Sequence, residues 1–143
     1  MIPLSPKKLT LDFDYDFAVL GIVSAAPSYK LCHFINSETF MNFERNEEDF
    51  SILLNGQKEA TIFSKFNFNP KNSEYYFSLI QNKGSNAYLV PEKKELDYFI
   101  IISDEFPNKI PLEVKNELTK LKVVQAVFLL PTEKIKSKEN LIF

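Results

Sequence analysis

Tryptophan is missing from this sequence altogether, and glycine, cysteine and histidine are scarce: 3 Gly, 1 Cys and 1 His among 143 residues. Each shortage closes off a kind of chemistry. The glycines, Gly21, Gly56 and Gly84, stand alone, so there is no Gly-rich loop to cradle a phosphate with backbone amides and no Gly-x-Ser-x-Gly nucleophile elbow. Cys32 has no second cysteine to pair with, as suits a reducing compartment. Together with His33 it falls short of the Cys and His complement of a zinc site. No stretch approaches the roughly 20 apolar residues of a membrane-spanning helix. The N-terminus, Met1-Ile2-Pro3-Leu4-Ser5-Pro6-Lys7-Lys8, is broken by prolines and lacks the apolar core of a signal peptide. These features predict a cytoplasmic protein without a membrane segment. The net charge of −2 sets up no overall attraction to nucleic acid or anionic lipid, although the front of the chain is acidic and its tail basic.

What is present is phenylalanine, with 14 Phe and 6 Tyr in a chain that is 45% hydrophobic. So many rings argue for a packed core and against disorder. The length suits one domain over 1–143, near the common size of about 100–150 residues.

The apolar pattern predicts the elements. Leu9, Leu11 and Phe13 alternate with polar residues as in a half-buried strand. Phe17 to Ser24 is a nearly continuous apolar run and reads as a buried strand, with a short core helix as the alternative. Leu31, Phe34 and Ile35 share a helical face, predicting a helix from Ser28 to Ser37 with Ser28 as its N-cap. Phe50, Ile52 and Leu54 alternate again before Asn55-Gly56, the pair that favours a type I′ hairpin turn. Partner strands follow over Glu59 to Phe68, Tyr75 to Gln81 and Tyr88 to Val90. Turns at Asn69 to Ser73 and Asn82 to Asn86 separate them, and the whole reads as an antiparallel meander. Leu96 to Ser103 contains Tyr98-Phe99-Ile100-Ile101-Ile102, the strongest strand signal, central and buried on both faces. Pro111 opens a helix whose apolar stripe is Val114, Leu118 and Leu121. Val123 to Leu130 is a last strand, stopped by Pro131. Strand, helix and strand in succession predict a βαβ unit. The expected fold is α+β, a mainly antiparallel sheet of about six strands with two main helices, and a ferredoxin-like half at the C-terminal side.

The stretch Val90-Pro91-Glu92-Lys93-Lys94-Glu95-Leu96-Asp97-Tyr98 resembles the signature of the IPExxxVDY family, a bacterial family named for its motif and not for an activity. Pro91, Glu92, Asp97 and Tyr98 match that signature, while Val90 and Leu96 replace its Ile and Val. The early Leu9-Thr10-Leu11-Asp12, the run Leu20-Gly21-Ile22 and the late Lys136-Ser137-Lys138-Glu139-Asn140-Leu141 extend the resemblance over most of the chain. It implies a bacterial cytosolic protein and carries over no catalytic residue. Physically, Pro91 begins a turn, and Glu92 and Asp97 suit the acceptance of backbone N–H bonds. Tyr98 suits a buried ring with a bonded hydroxyl.

Other constellations are weaker. Asp12, Asp14 and Asp16 form D-x-D-x-D, but Phe17 and Val23 stand where a calcium loop needs its Gly and Glu. Cys32 and His33 are neighbours on a helix and point about 100° apart, a poor start for a shared metal or a nucleophile pair. Phe63, Phe66 and Phe68 around Lys65 invite comparison with the aromatic sheet of an RNA-recognition module, without its glycine-bearing consensus. Lys134, Lys136 and Lys138 read as a solvated tail. The sequence therefore points first to a non-enzymatic interaction or adaptor protein, with no cofactor, no metal and no catalytic residue assigned. It expects a protein partner in preference to nucleic acid or membrane, and leaves self-association open. A small enzyme with a carboxylate and tyrosine site at Pro91 to Tyr98 is the alternative, and an RNA-binding module using sheet aromatics the third reading.

Overall fold

A computed structural model of the chain describes residues 17–54, 56–70, 75–103 and 110–142. The predicted strand at Leu9 to Phe13, the D-x-D-x-D run and Asn55 lie outside the described residues. Among the described residues eight strands form, β1 (Ala18–Val23), β2 (Glu44–Arg45), β3 (Phe50–Ile52), β4 (Thr61–Phe63), β5 (Lys65–Phe68), β6 (Tyr76–Gln81), β7 (Tyr98–Ser103) and β8 (Ala126–Leu130), with helices α1 (Ser28–Glu38) and α2 (Ile110–Thr119). The main sheet has the order β2-β5-β6-β7-β1-β8, and β3 and β4 form a separate pair. Every neighbouring pair is antiparallel, so the α+β fold, with a six-stranded antiparallel sheet and two helices among the described residues, stands.

The order contains two interlocked crossovers. Strands β7 and β8 both run antiparallel to β1, which lies between them, so they are parallel to each other and joined through α2. Likewise β1 and β6 flank β7, and α1 follows β1 in the chain. The β6-β7-β1-β8 core with its two helices is the split βαβ arrangement of a ferredoxin-like fold, and β2 to β5 are inserted between α1 and β6. The expected C-terminal half is therefore one of two.

The sheet is buried on both faces, because apolar residues alternate across it with period two. On one face Leu20, Ile22, Leu79, Ile100 and Ile102 meet Leu31 and Ile35 of α1 and Val114 and Leu118 of α2. On the other, Val19, Ile80, Phe99 and Ile101 are covered by Phe63, Leu89, Val90, Leu96, Ile135 and Leu141. That second face, which an antiparallel sheet often leaves to solvent, is roofed by the β3–β4 pair, the loop after β6 and the C-terminal turns.

Several expected boundaries change, among them the start of the central strand, which forms from Tyr98 and not Leu96 because Leu96 packs in the roof. The strand predicted over Glu59 to Phe68 breaks at Ser64, where the chain leaves the small sheet and enters the main one. Phe63 and Phe66 accordingly belong to opposite cores. No strand forms over Tyr88 to Val90 beyond a single bridge between Lys83 and Tyr88, because the Val90 N–H donates to the side chain of Asn82 (2.8 Å) and not to a neighbouring strand. Ser28 is the first helical residue and no N-cap. Extended Pro27 holds that position without a side-chain bond, and its carbonyl accepts from the N–H groups of Lys30 and Leu31. The last strand starts at Ala126 and not Val123, since Val124 N–H closes a turn onto Leu121 O and Val123 O accepts the Ser24 hydroxyl.

At Gly21 the sheet and its roof come close together. A Cβ there would lie 2.5 Å from Leu96 Cδ1 and 3.3 Å from Leu130 Cδ1, and Leu96 is buried. We expect Gly21→Val to lower stability by about 1–3 kcal/mol, the usual cost of overpacking, with an unchanged denaturant slope in urea unfolding. A variant as stable as the wild type would contradict this contact.

Candidate functional site

The sequence places its most distinctive residues in the loop joining β6 to β7, and the loop is built around one buried side chain. Asn82 follows β6 directly and is fully buried. Its Nδ2 donates to Lys93 O and Leu96 O, both at 2.9 Å, and to Val90 O at 3.5 Å. Its Oδ1 accepts the Val90 N–H. Its backbone is equally engaged, with N–H donating to Asp97 O and the carbonyl accepting from Leu89 N–H. A buried amide without partners is costly, whereas this one substitutes for the backbone ladder the loop does not make.

Around that carboxamide each motif residue takes a structural position. Val90 and Leu96 are buried in the roof. Pro91 opens a 3-10 turn over Pro91–Lys93, where its missing N–H is no loss. The Glu92 carboxylate accepts the Ser137 N–H at 2.8 Å and the Ser137 hydroxyl at 2.9 Å. Burial alone would raise its pKa, but bonds from Ser137, its own N–H and Lys136 outweigh that and hold the carboxyl below its ordinary range. Asn140 ties the same tail down by donating to Leu89 O at 2.7 Å. Asp97 binds in the opposite direction, toward β1: its N–H donates to Ile22 O, and its Oδ2 accepts the Ser24 N–H at 2.8 Å. The Tyr98 ring is buried, and its hydroxyl donates to Ala26 O at 2.6 Å, fixing the entry to α1.

Asp97 and Tyr98 border a half-open cavity of about 280 Å³ whose rim includes Lys83, Tyr88 and Lys94. Lys94 Nζ sits 5.5 Å from the centre of the Tyr88 ring. Glu92 does not line it. A hollow of about 260 Å³ beside Pro91 and Ser137 lies between the tail and Leu53 and Leu54, and Glu92 does not line it either. Asp97 and Tyr98 thus share one cavity, and Glu92 turns away from it toward the tail. Burial, with the Asp97 charge second, pushes the Tyr98 phenol up from 10.0 to about 12, far from the range useful for proton transfer near neutral pH.

The other residues singled out by sequence are placed as follows. Cys32 is buried and its thiol contacts Phe43 O and the Asn36 amide. Burial pushes its pKa up, against the Asn36 bond, which lowers it. His33 is exposed and lies edge-on to Phe34. Among the described residues, no three His, Cys, Asp or Glu side chains cluster to hold a metal. Phe63 and Phe66 are buried, Phe68 packs against Phe77 and Phe43, and none forms an open stacking platform. Lys134 and Lys136 are exposed. No helix among the described residues is long and apolar enough to cross a membrane. Sequence reasoning missed Asn82, Ser24, Ser137 and Asn140. Only Asn82 had a local signal, a carboxamide placed at once after a buried strand.

Tyr98 gives a pH test. Its folded pKa lies above the unfolded one, so the stability tied to the protonated hydroxyl is complete below pH 10.0 and is lost between there and about pH 12. Ultraviolet titration of wild type against Tyr98→Phe should show that the ionisation missing from the variant is one near pH 12. A missing step near pH 10.0 would mean that the phenol is neither buried nor bonded.

The chain matches no protein-family model, no curated protein and no solved structure.

Proposed function

We propose that this chain is a non-enzymatic interaction protein of the bacterial cytosol, of the IPExxxVDY type, which docks its partner along strand β8. The observation that carries the reading is the state of that strand. Among the described residues it forms one end of the main sheet, its sequence Ala-Val-Phe-Leu-Leu is uncharged, and Phe128 and Leu129 are 47% and 41% exposed. An edge strand presents unpaired N–H and C=O groups, and soluble proteins usually blunt such edges with charge or extreme shortness. The opposite edge does so: β2 is two residues long, Glu44 and Arg45. Strand addition to an open apolar edge is a general mode of protein recognition.

The cytosolic assignment rests on the lone buried cysteine and on the resemblance at Pro91, Glu92, Asp97 and Tyr98. The enzymatic alternative at Pro91 to Tyr98 draws less support. Glu92 is engaged by Ser137 away from the cavity that Asp97 and Tyr98 border, and the tyrosine proton is committed to Ala26 O. The RNA-binding alternative needs an open sheet face, and the face bearing Phe99 and Ile101 is roofed.

The test is affinity capture from bacterial cytosol, with the wild-type chain compared with Leu129→Lys. The variant changes an exposed side chain, and its fold is checked by urea unfolding. Wild type should retain a stoichiometric partner, either another protein or another copy, and the variant should lose at least about tenfold in affinity, equivalent to roughly 1.4 kcal/mol. A wild-type chain that is monomeric and retains nothing would contradict the proposal.

A further inference from the structure

We infer that the occupant of the β8 edge is a second copy of this chain, paired antiparallel to it about a two-fold axis at Phe128. The inference rests on the reading of β8 as the docking edge and names its partner. Side chains of β8 alternate between the sheet faces. Val127 and Leu129 stand opposite Ile22 and Leu20 of β1, on the helix-covered face, while Ala126, Phe128 and Leu130 stand opposite Val23, Gly21 and Val19 on the roofed face. Both faces of the edge therefore carry an exposed apolar group, Leu129 on one and Phe128 on the other.

One symmetry operation covers both. With Phe128 on the axis, it meets Phe128 of the partner subunit, an aromatic cross-strand pair of the kind that stabilises antiparallel strands. Leu129 then meets Val127 of the partner subunit on the opposite face. At the ends Leu130 meets Ala126 of the partner subunit, setting large against small. Because β8 has no charged residue, self-pairing brings no like charges together within the strand. The contact is isologous and closed, so it stops at two subunits and does not propagate, and the charged β2 edge offers no second site for growth. The product is one continuous sheet made from two six-stranded ones.

The test is solution mass by sedimentation equilibrium together with site-specific cross-linking. Wild type should have twice the monomer mass, and Phe128→Lys, which sets two ammonium groups directly opposite each other, should have the monomer mass with an unchanged far-ultraviolet spectrum. On mild oxidation Phe128→Cys should form a disulfide-linked dimer, since directly opposed residues in antiparallel strands lie about 4.5–5.5 Å apart between Cα atoms, within disulfide reach. Leu112→Cys, exposed on α2, should stay unlinked, and native Cys32 is buried. A monomeric wild type, or a dimer that survives Phe128→Lys, would overturn the inference. A dimer sensitive to Phe128→Lys in which Phe128→Cys does not cross-link would overturn the register about Phe128. A monomeric wild type that still loses a different protein on Leu129→Lys removes self-pairing alone and leaves β8 as a docking edge. A monomer that binds nothing removes both.

Discussion

The buried carboxamide of Asn82 is the constraint on which the loop side of this fold depends. A loop of this length that leaves a central strand pair and crosses a sheet face has many backbone groups to satisfy away from water. Asn82 supplies three donor contacts and one acceptor contact to Val90, Lys93 and Leu96, and so allows the chain to turn sharply without a ladder. Once that bend is set, Val90 and Leu96 fall over the sheet, and Leu96 reaches the space that Gly21 leaves open. Glu92 points to the C-terminal tail, while Asp97 and Tyr98 clasp the chain between β1 and α1. The motif is therefore a set of ties radiating from one bend to two remote segments, the C-terminal tail and the chain between β1 and α1.

Those ties change what a ferredoxin-like core can do. In such a core two helices cover one face of the sheet and the other face is free to bind. Here the loop after β6, the β3–β4 pair and the tail close the second face with Phe63, Leu89, Val90, Ile135 and Leu141. Surface for recognition is then sought at the sheet's ends, and the two ends differ in character. One is short and charged at Glu44 and Arg45, and the other is a five-residue apolar strand. That asymmetry follows from the same sequence that builds the core: β8 must be apolar on both faces to pack against α2 on one side and the tail on the other, and the outer flank of such a strand is left with uncovered hydrocarbon.

Where periodicity governs, the sequence was legible. The central strand over Tyr98 to Ser103, the apolar run of β1 and the stripe of Val114, Leu118 and Leu121 on and just beyond α2 follow directly from residue spacing. The second crossover was readable because β7, α2 and β8 are consecutive. The first was not, because β2 to β5 separate α1 from β6. The strand break at Ser64 has no local marker, since Phe-Ser-Lys-Phe alternates well enough for one strand and only the demand of two sheets divides it. For the motif, the turn at Pro91 could be read from proline chemistry. The partners of Glu92, Asp97 and Tyr98 could not, because Ser137, Ser24 and Ala26 lie 45, 73 and 72 residues away. Asn82 looked like an ordinary turn residue because asparagine favours turns, and burial is a property of the folded chain.

Amide hydrogen exchange at Val90 tests most directly whether the Asn82 carboxamide holds the bend. If it does, the Val90 amide, buried and bonded to Asn82 Oδ1, exchanges only through the global opening that also exposes Ile100 in the central strand, with the same opening free energy. Exchange at Val90 near the rate of an unprotected loop, while Ile100 stays protected, would contradict it.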